Sequence, residues 1–251
     1  MKNLFYILFF LLLVPALSFA QDVAALQKEA EQLEGTNDEA AFKKYQEILK
    51  IQPVNINAIC KSSELCSTIG HRQTVKSIKI DYFKTARHYA EIALRLNPNS
   101  SEANFVMAIA MGRMALIASG RERIEAVNEI RKYAELSVKA NPSNYKPYHI
   151  LGRWHYEVSD LSGIERTAAK IFYGGLPPAS LQQAIGYYEK SMSLNPEATV
   201  NYTELAKCYN RNHQKTKAIE LLNKLMTMPD KTSDDARVKT EGRRLLKEWQ
   251  K

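Results

Sequence analysis

Along most of this chain apolar residues recur every three or four positions, and five times the pattern closes on a short phrase ending in proline. The phrases are "EILKIQP" at Pro53, "IALRLNP" at Pro98, "LSVKANP" at Pro142, "KSMSLNP" at Pro196 and "NKLMTMP" at Pro229. A 3.6-residue period predicts amphipathic helices. Proline, which has no amide hydrogen and clashes with the preceding turn, predicts where each helix stops. The phrases read as copies of one unit, spaced 45, 44, 54 and 33 residues apart.

Only the last interval matches the roughly 34-residue period of the tetratricopeptide repeat, so the earlier copies carry insertions of about ten, ten and twenty residues. Positions inside the units agree with that register. Twelve before the closing proline stand Ala41, Ala86 and Ala184, and ten after it stand Ala108, Gly152 and Ala206, small residues where two helices must cross closely. Eight before it are Tyr45 and Tyr188, and six after it Tyr148 and Tyr202, the bulky partners of those crossings. A helical hairpin cannot bury both faces by itself, so several must stack into one core. Helix pairs are expected at about 22–51, 54–97, 100–141, 144–195 and 198–228, with a last helix at about 232–249. That last segment starts with acids, ends with bases and carries Leu245, Leu246 and Trp249 as an apolar stripe, which suits a cap on the open end of the stack. The fold class expected is all-α, a tetratricopeptide-like right-handed superhelix of stacked helical hairpins with an inserted helix and a C-terminal capping helix.

The N-terminus departs from this pattern. "MKNLFYILFFLLLVPALSFAQD" places Lys2 before an apolar run and ends on small residues, the three-part form of a secretory signal cut near Ala20. The apolar run, Leu4 to Leu17, is shorter than the ~20 residues a spanning helix needs. Residues 1–20 are therefore expected to be a signal peptide and 21–251 a single repeat domain, periplasmic or secreted. The chain holds 35 Lys and Arg against 27 Asp and Glu, but the bases are dispersed, so no nucleic-acid partner is expected. Cys60, Cys66 and Cys208 are too few for a disulfide frame, and six residues along one helix separate the first two too far to bridge. They are expected to be buried free thiols.

The fourth unit is broken by "GRWHYEVSDLSGIERTAAKIFYGGLPPAS", in which two glycines and two prolines follow a short charged helix. Here the sequence resembles the regulator of microtubule dynamics family, through Gly152, Trp154, Glu165, Arg166, Ala169, Pro177, Pro178, Ala184, Tyr187 and Pro196. The likeness runs over about 100–250 and implies a tetratricopeptide-like fold with an extra helix and a Pro-Pro turn. It also implies associations known for animal members, with microtubules, organelle contacts or lipids. A bacterial-style leader does not suit the cytoskeletal role, which is not carried across. Glu165 and Arg166 are expected to tie helix ends together.

The inner surface of such a stack is lined by first helices and can hold an extended peptide. Seven, eleven and fourteen residues past Pro142 lie His149, Arg153 and Tyr156; eleven and fourteen past Pro196 lie Lys207 and Asn210. These five are the candidate groove residues, with Arg153 and Lys207 suited to an anionic group. At the matching earlier offsets Cys60, Glu64, Phe105 and Ile109 do not supply the Lys and Asn pattern of chaperone-binding domains. The five histidines show no metal-ligand spacing, and there is no phosphate loop or nucleophile motif. The expectation is a non-enzymatic exported scaffold, without cofactor or metal, that binds a protein or peptide along its concave face. The alternative is a carrier of a lipid or other apolar ligand between its repeat helices.

Overall fold

A computed structural model describes residues 22–250, so the expected leader lies outside the described residues. All the regular structure among the described residues is helical. The hairpins pair α1 (22–33) with α2 (Asp38–Ile51), α3 (Ile56–Arg72) with α4 (Lys76–Leu96) and α5 (Ser101–Ile117) with α6 (Gly120–Ala140). In the fourth unit α7 (Tyr145–Asp160) pairs with α9 (Leu181–Leu194), and α8 (Gly163–Tyr173) is inserted between them. The fifth pairs α10 (Thr199–Arg211) with α11 (Lys215–Thr227), and α12 (Ser233–Trp249) lies on both of these helices and covers the end of the stack. The first helices α3, α5 and α7 each touch their own partner and also the next first helix, which makes the assembly a helical-repeat superhelix with first helices inside and second helices outside.

The Asn-Pro phrases end helices by a specific chemistry. Asn97, Asn141 and Asn195 leave the helix in extended conformations, and each Oδ1 accepts the amide two residues ahead, from Asn99 at 3.2 Å, Ser143 at 3.0 Å and Glu197 at 3.1 Å. The proline between has no amide to compete, so the asparagine closes the turn alone. Tyr148 and Tyr202 then donate their hydroxyls to the carbonyls of Pro142 and Pro196, at 3.2 and 2.8 Å, and Asn104 uses its amide the same way on Pro98 at 2.8 Å. The next helices start at side-chain caps on Asn55, Ser100 and Asn144.

The small positions sit at the crossings. Ala41, Ala86, Ala108, Ala184 and Ala206 have no exposed surface, and neither do Tyr45 and Tyr188. A Cβ on Gly152 would fall 2.9 Å from the Tyr188 ring, closer than atoms can approach. Ser63 occupies the same register in the second unit and donates its hydroxyl to the Ala86 carbonyl at 2.7 Å, joining the two helices. Cys60, Cys66 and Cys208 are buried free thiols, each pushed up to about 12, chiefly by burial.

The extra residues take two forms. In the second and third units they lengthen the helices, to 17 and 21 residues in each hairpin against 13 and 13 in the fifth. In the fourth they make α8. Ser162 and Glu165 cap its start reciprocally, while Arg166 donates to the carbonyls of Val158 at 2.5 Å and Leu161 at 3.2 Å and so closes the end of α7. Gly174 and Gly175 carry φ of 81° and 88°, where other residues are strained, and both direct their amides to the Ala169 carbonyl.

Gly152→Ala is expected to destabilise the domain by about 1–3 kcal/mol, because the added carbon meets a rigid buried ring. Gly186→Ala, on an open helix surface where nothing lies within 4 Å, is expected to stabilise it by about 0.5–1 kcal/mol. Urea unfolding of both variants checks the contrast; equal midpoints would remove the crossing argument.

Candidate functional site

Side chains from first helices two units apart can meet only across the inner wall. Lys146 on α7 places its ammonium 2.8 and 3.0 Å from the carboxylate of Glu64 on α3, and 3.8 Å from Glu102 on α5, over the Phe105 ring at 5.0 Å. Beside it Lys61 pairs with Glu34 at 2.6 Å, which also accepts the Tyr45 hydroxyl at 2.5 Å. Burial opposes ionisation of Glu64, but the charges of Lys146 and Lys61 and the hydrogen bond from Lys146 outweigh it and hold the carboxyl below its ordinary value. Glu102, farther from the ammonium, goes the other way: burial wins and raises it. This part of the wall is neutralised within the chain.

At the other end of the first helices the superhelix meets itself. Arg72, closing α3, binds Asp38 at 2.7 Å and Asp234 of α12 at 2.9 and 3.3 Å, although Arg72 and Asp234 are 162 positions apart in the chain. The Ser233 amide donates to the Gly35 carbonyl at 2.7 Å. The first hairpin turn and the start of the capping helix are thereby joined across the interior.

The five candidate residues fall into different surroundings. His149 bonds through Nδ1 to Asn201 Oδ1 at 2.8 Å and stands edge-on to Tyr188 at 5.3 Å; since Asn201 gives its NH2 to Ser191 at 3.0 Å, Nδ1 must carry the proton. Burial lowers the His149 pKa, opposed by the bond to Asn201. Tyr156 lies under the Arg211 guanidinium at 5.1 Å, and its carbonyl accepts from Arg211 at 3.0 Å. Lys207 is engaged by Glu204 at 3.1 Å and Glu241 at 3.7 Å, so its charge is met within the chain. Asn210 is half-buried near the end of α10, where its carbonyl accepts the His213 amide at 3.1 Å. Arg153 remains exposed over half its side chain, with Glu157 at the outer limit of 4.0 Å.

Sequence reasoning by fixed offsets missed the residues that stand near Arg153. Arg113 on α5, Arg237 on α12 and His71 on α3 are close enough that the arginines depress the His71 pKa, which burial first and then these charges bring to about 4. Arg113 is fifteen past Pro98, one turn beyond the offset that selects Ile109. Both α5 and α7 begin three residues past their prolines and cross at the same offset, at Ala108 and Gly152, so the register is kept and Arg113 lies at an offset that the sequence reading did not sample. Arg237 belongs to the cap, outside any repeat register. Among the described residues no His, Cys, Asp or Glu group is arranged to hold a metal ion, and no helix is long and apolar enough to cross a membrane.

Because Glu64 is held below the ~4.3 of an unfolded glutamate, the stability it contributes is complete above that value and disappears as pH falls through its depressed folded pKa. The stability gap between the wild type and Glu64→Gln, read from urea unfolding, is expected to be widest near neutral pH, about 1–3 kcal/mol, and to shrink as the pH falls below the ordinary glutamate value of about 4.3. A gap independent of pH would show that the pair contributes nothing through its charge.

This geometry can be set beside known proteins. A relative from Caenorhabditis elegans, regulator of microtubule dynamics protein 1, is 28% identical over 183 residues, covering 73% of this chain and 79% of its own. The Bos taurus protein of the same name is 28% identical over 163 residues, covering 64% of this chain but 51% of its own length, so the match spans about half of the bovine relative. The crystal structure of a thermophilic TPR protein from Thermus thermophilus superposes with a TM-score of 0.64 at 13% identity, over 87% of this chain and 98% of that one, a likeness of fold. The sequence profile described as regulator of microtubule dynamics protein 1-3 matches residues 24–250. With nearly the whole described chain matched, this protein belongs to the regulator of microtubule dynamics family.

Proposed function

We propose that the protein is an exported, non-enzymatic scaffold whose concave wall binds an extended segment of another protein or peptide. The observation that carries this reading is the polarity of that wall. Glu64, Glu102, Lys146, Arg153, Lys207 and Glu241 are contributed by successive inner helices and the cap, and a polypeptide backbone offers amides and carbonyls to such a surface. An apolar-ligand carrier calls for an apolar lining, whereas the inserted helix buries only Ala169 and leaves Ile164, Ile171 and Phe172 at 83%, 69% and 64% exposure. The leader-like residues 1–20 support export, and the periplasm or cell exterior is the compartment proposed.

A photo-crosslinking residue placed at Arg153 is expected to capture polypeptide in the native host compartment, while the same residue at Arg87, on the outer helix α4, captures none. Native mass spectrometry of the purified chain supplies the decisive contrast. A stoichiometric lipid that survives purification, with no difference between the two crosslinking positions, would replace the scaffold by the carrier.

A further inference from the structure

Charges on the inner wall are met within the chain almost everywhere, and the exception has a shape. Lys146 has Glu64 and Glu102, Lys207 has Glu204 and Glu241, and Arg72 has Asp38 and Asp234. Arg237 leans on Asp234 at 3.5 Å, and Arg153 has Glu157 at 4.0 Å. Arg113 differs: it makes no ion pair among the described residues, and its Nε is buried without a hydrogen-bond partner. A buried donor left unmade is costly, and more so on a charged group. Burial, then the charges of Arg153 and Arg237, lower the Arg113 pKa to about 10, which is the electrostatic signature of a cation short of an anion.

We infer that Arg113 is the receptor for a single carboxylate at the end of a ligand lying along the concave wall. The charge count selects the ligand's valence, since one guanidinium is uncompensated and its cationic neighbours already have carboxylates beside them. The shape selects its geometry. The Phe83 ring lies under the guanidinium, 6.0 Å from ring centre to its central carbon. With that ring on one face and Nε buried, approach is left to the outer edge, where the two Nη groups present parallel N–H bonds that match the two oxygens of a carboxylate. His71, neutral at physiological pH, adds no charge and leaves a ring nitrogen able to donate. Arg153 and Arg237, whose carboxylates stand off at 4.0 and 3.5 Å and offset them only in part, add to the field that draws the anion in. The inference deepens the scaffold reading and rests on it, with a chain-terminal carboxylate as the group the wall recognises; a fatty acid carries the same group, and the test separates the two.

The test follows the Arg113 Nε–H resonance of the full chain by NMR at constant ionic strength. The probes are random octapeptides with free C-termini, the same pool with C-terminal amides, and decanoate. Free-acid peptides are expected to shift the Arg113 resonance saturably and to bind at least about tenfold more tightly than the amides, a preference that Arg113→Gln abolishes. Should that variant not fold, Arg153→Gln, at an exposed position, is expected to weaken free-acid binding by a larger factor than amide binding, because it removes part of the field that draws the carboxylate in; an equal loss for both pools overturns the carboxylate receptor. Equal binding of acid and amide pools overturns the carboxylate receptor and leaves the concave peptide scaffold standing. Arg113-dependent binding of decanoate alone keeps the receptor and overturns the scaffold. No response to any of the three probes overturns both.

Discussion

A helical hairpin has two faces and can bury one against its own partner; the other stays bare until a second hairpin covers it. Everything in this structure follows from how closely those hairpins approach. The approach is set by positions with almost no side chain, Ala41, Ala86, Ala108, Ala184 and Ala206, all without exposed surface, and Gly152, which faces the Tyr188 ring. Close approach lets dispersion contacts accumulate over many atom pairs at interior density. It also aligns the helix ends, so that the asparagine before each proline can close the turn and the following tyrosine can reach back to the proline carbonyl. Punctuation and packing are thus one device seen at two scales.

Stacking of this kind always produces an inner wall, and here the wall is charged. Bringing like and unlike charges together on a concave surface, with less water around them than on a convex one, raises the cost of leaving any of them unpaired. Most are paired across helices: Lys146 links three successive units, and Arg72 links the first hairpin to the cap. These pairs act as ties between units that otherwise touch only their neighbours, so an opening at one end of the stack is felt at the other. Arg113 stands apart from this pattern, and its position in the interior is why it reads as a place for something outside the chain.

Much of the fold was legible in the sequence. Helix pairs, the extra helix between Asp160 and Ser180 and the final cap all fall where proline, glycine and apolar spacing put them. Glu165 and Arg166 serve helix ends, as expected, through the cap that Glu165 forms with Ser162 and the carbonyls that Arg166 reaches on α7. The candidate groove was only half legible. Arg153 stands at one of the offsets taken from the repeat, whereas Arg113, fifteen residues past Pro98, stands at none of them. Lys207 is met by Glu204, three residues before it and legible in the sequence, and by Glu241, which comes from a helix outside the repeats and was not. Asn201, a glycosylation-type Asn-Tyr-Thr site by sequence, is fully buried and bonded to His149 and Ser191.

The sequence by itself determined the local and periodic features: where helices start and stop, which faces are apolar, which positions must be small, and the family to which the broken fourth unit points. These are decided by backbone chemistry and by neighbours three or four residues away. The tertiary structure alone decided which charges are paired and which are left over. That depends on contacts such as Arg72 with Asp234 and Lys146 with Glu64, between residues far apart in the chain. The curvature of the stack, a sum of small rotations at each crossing, sets those distances, and no single segment encodes it.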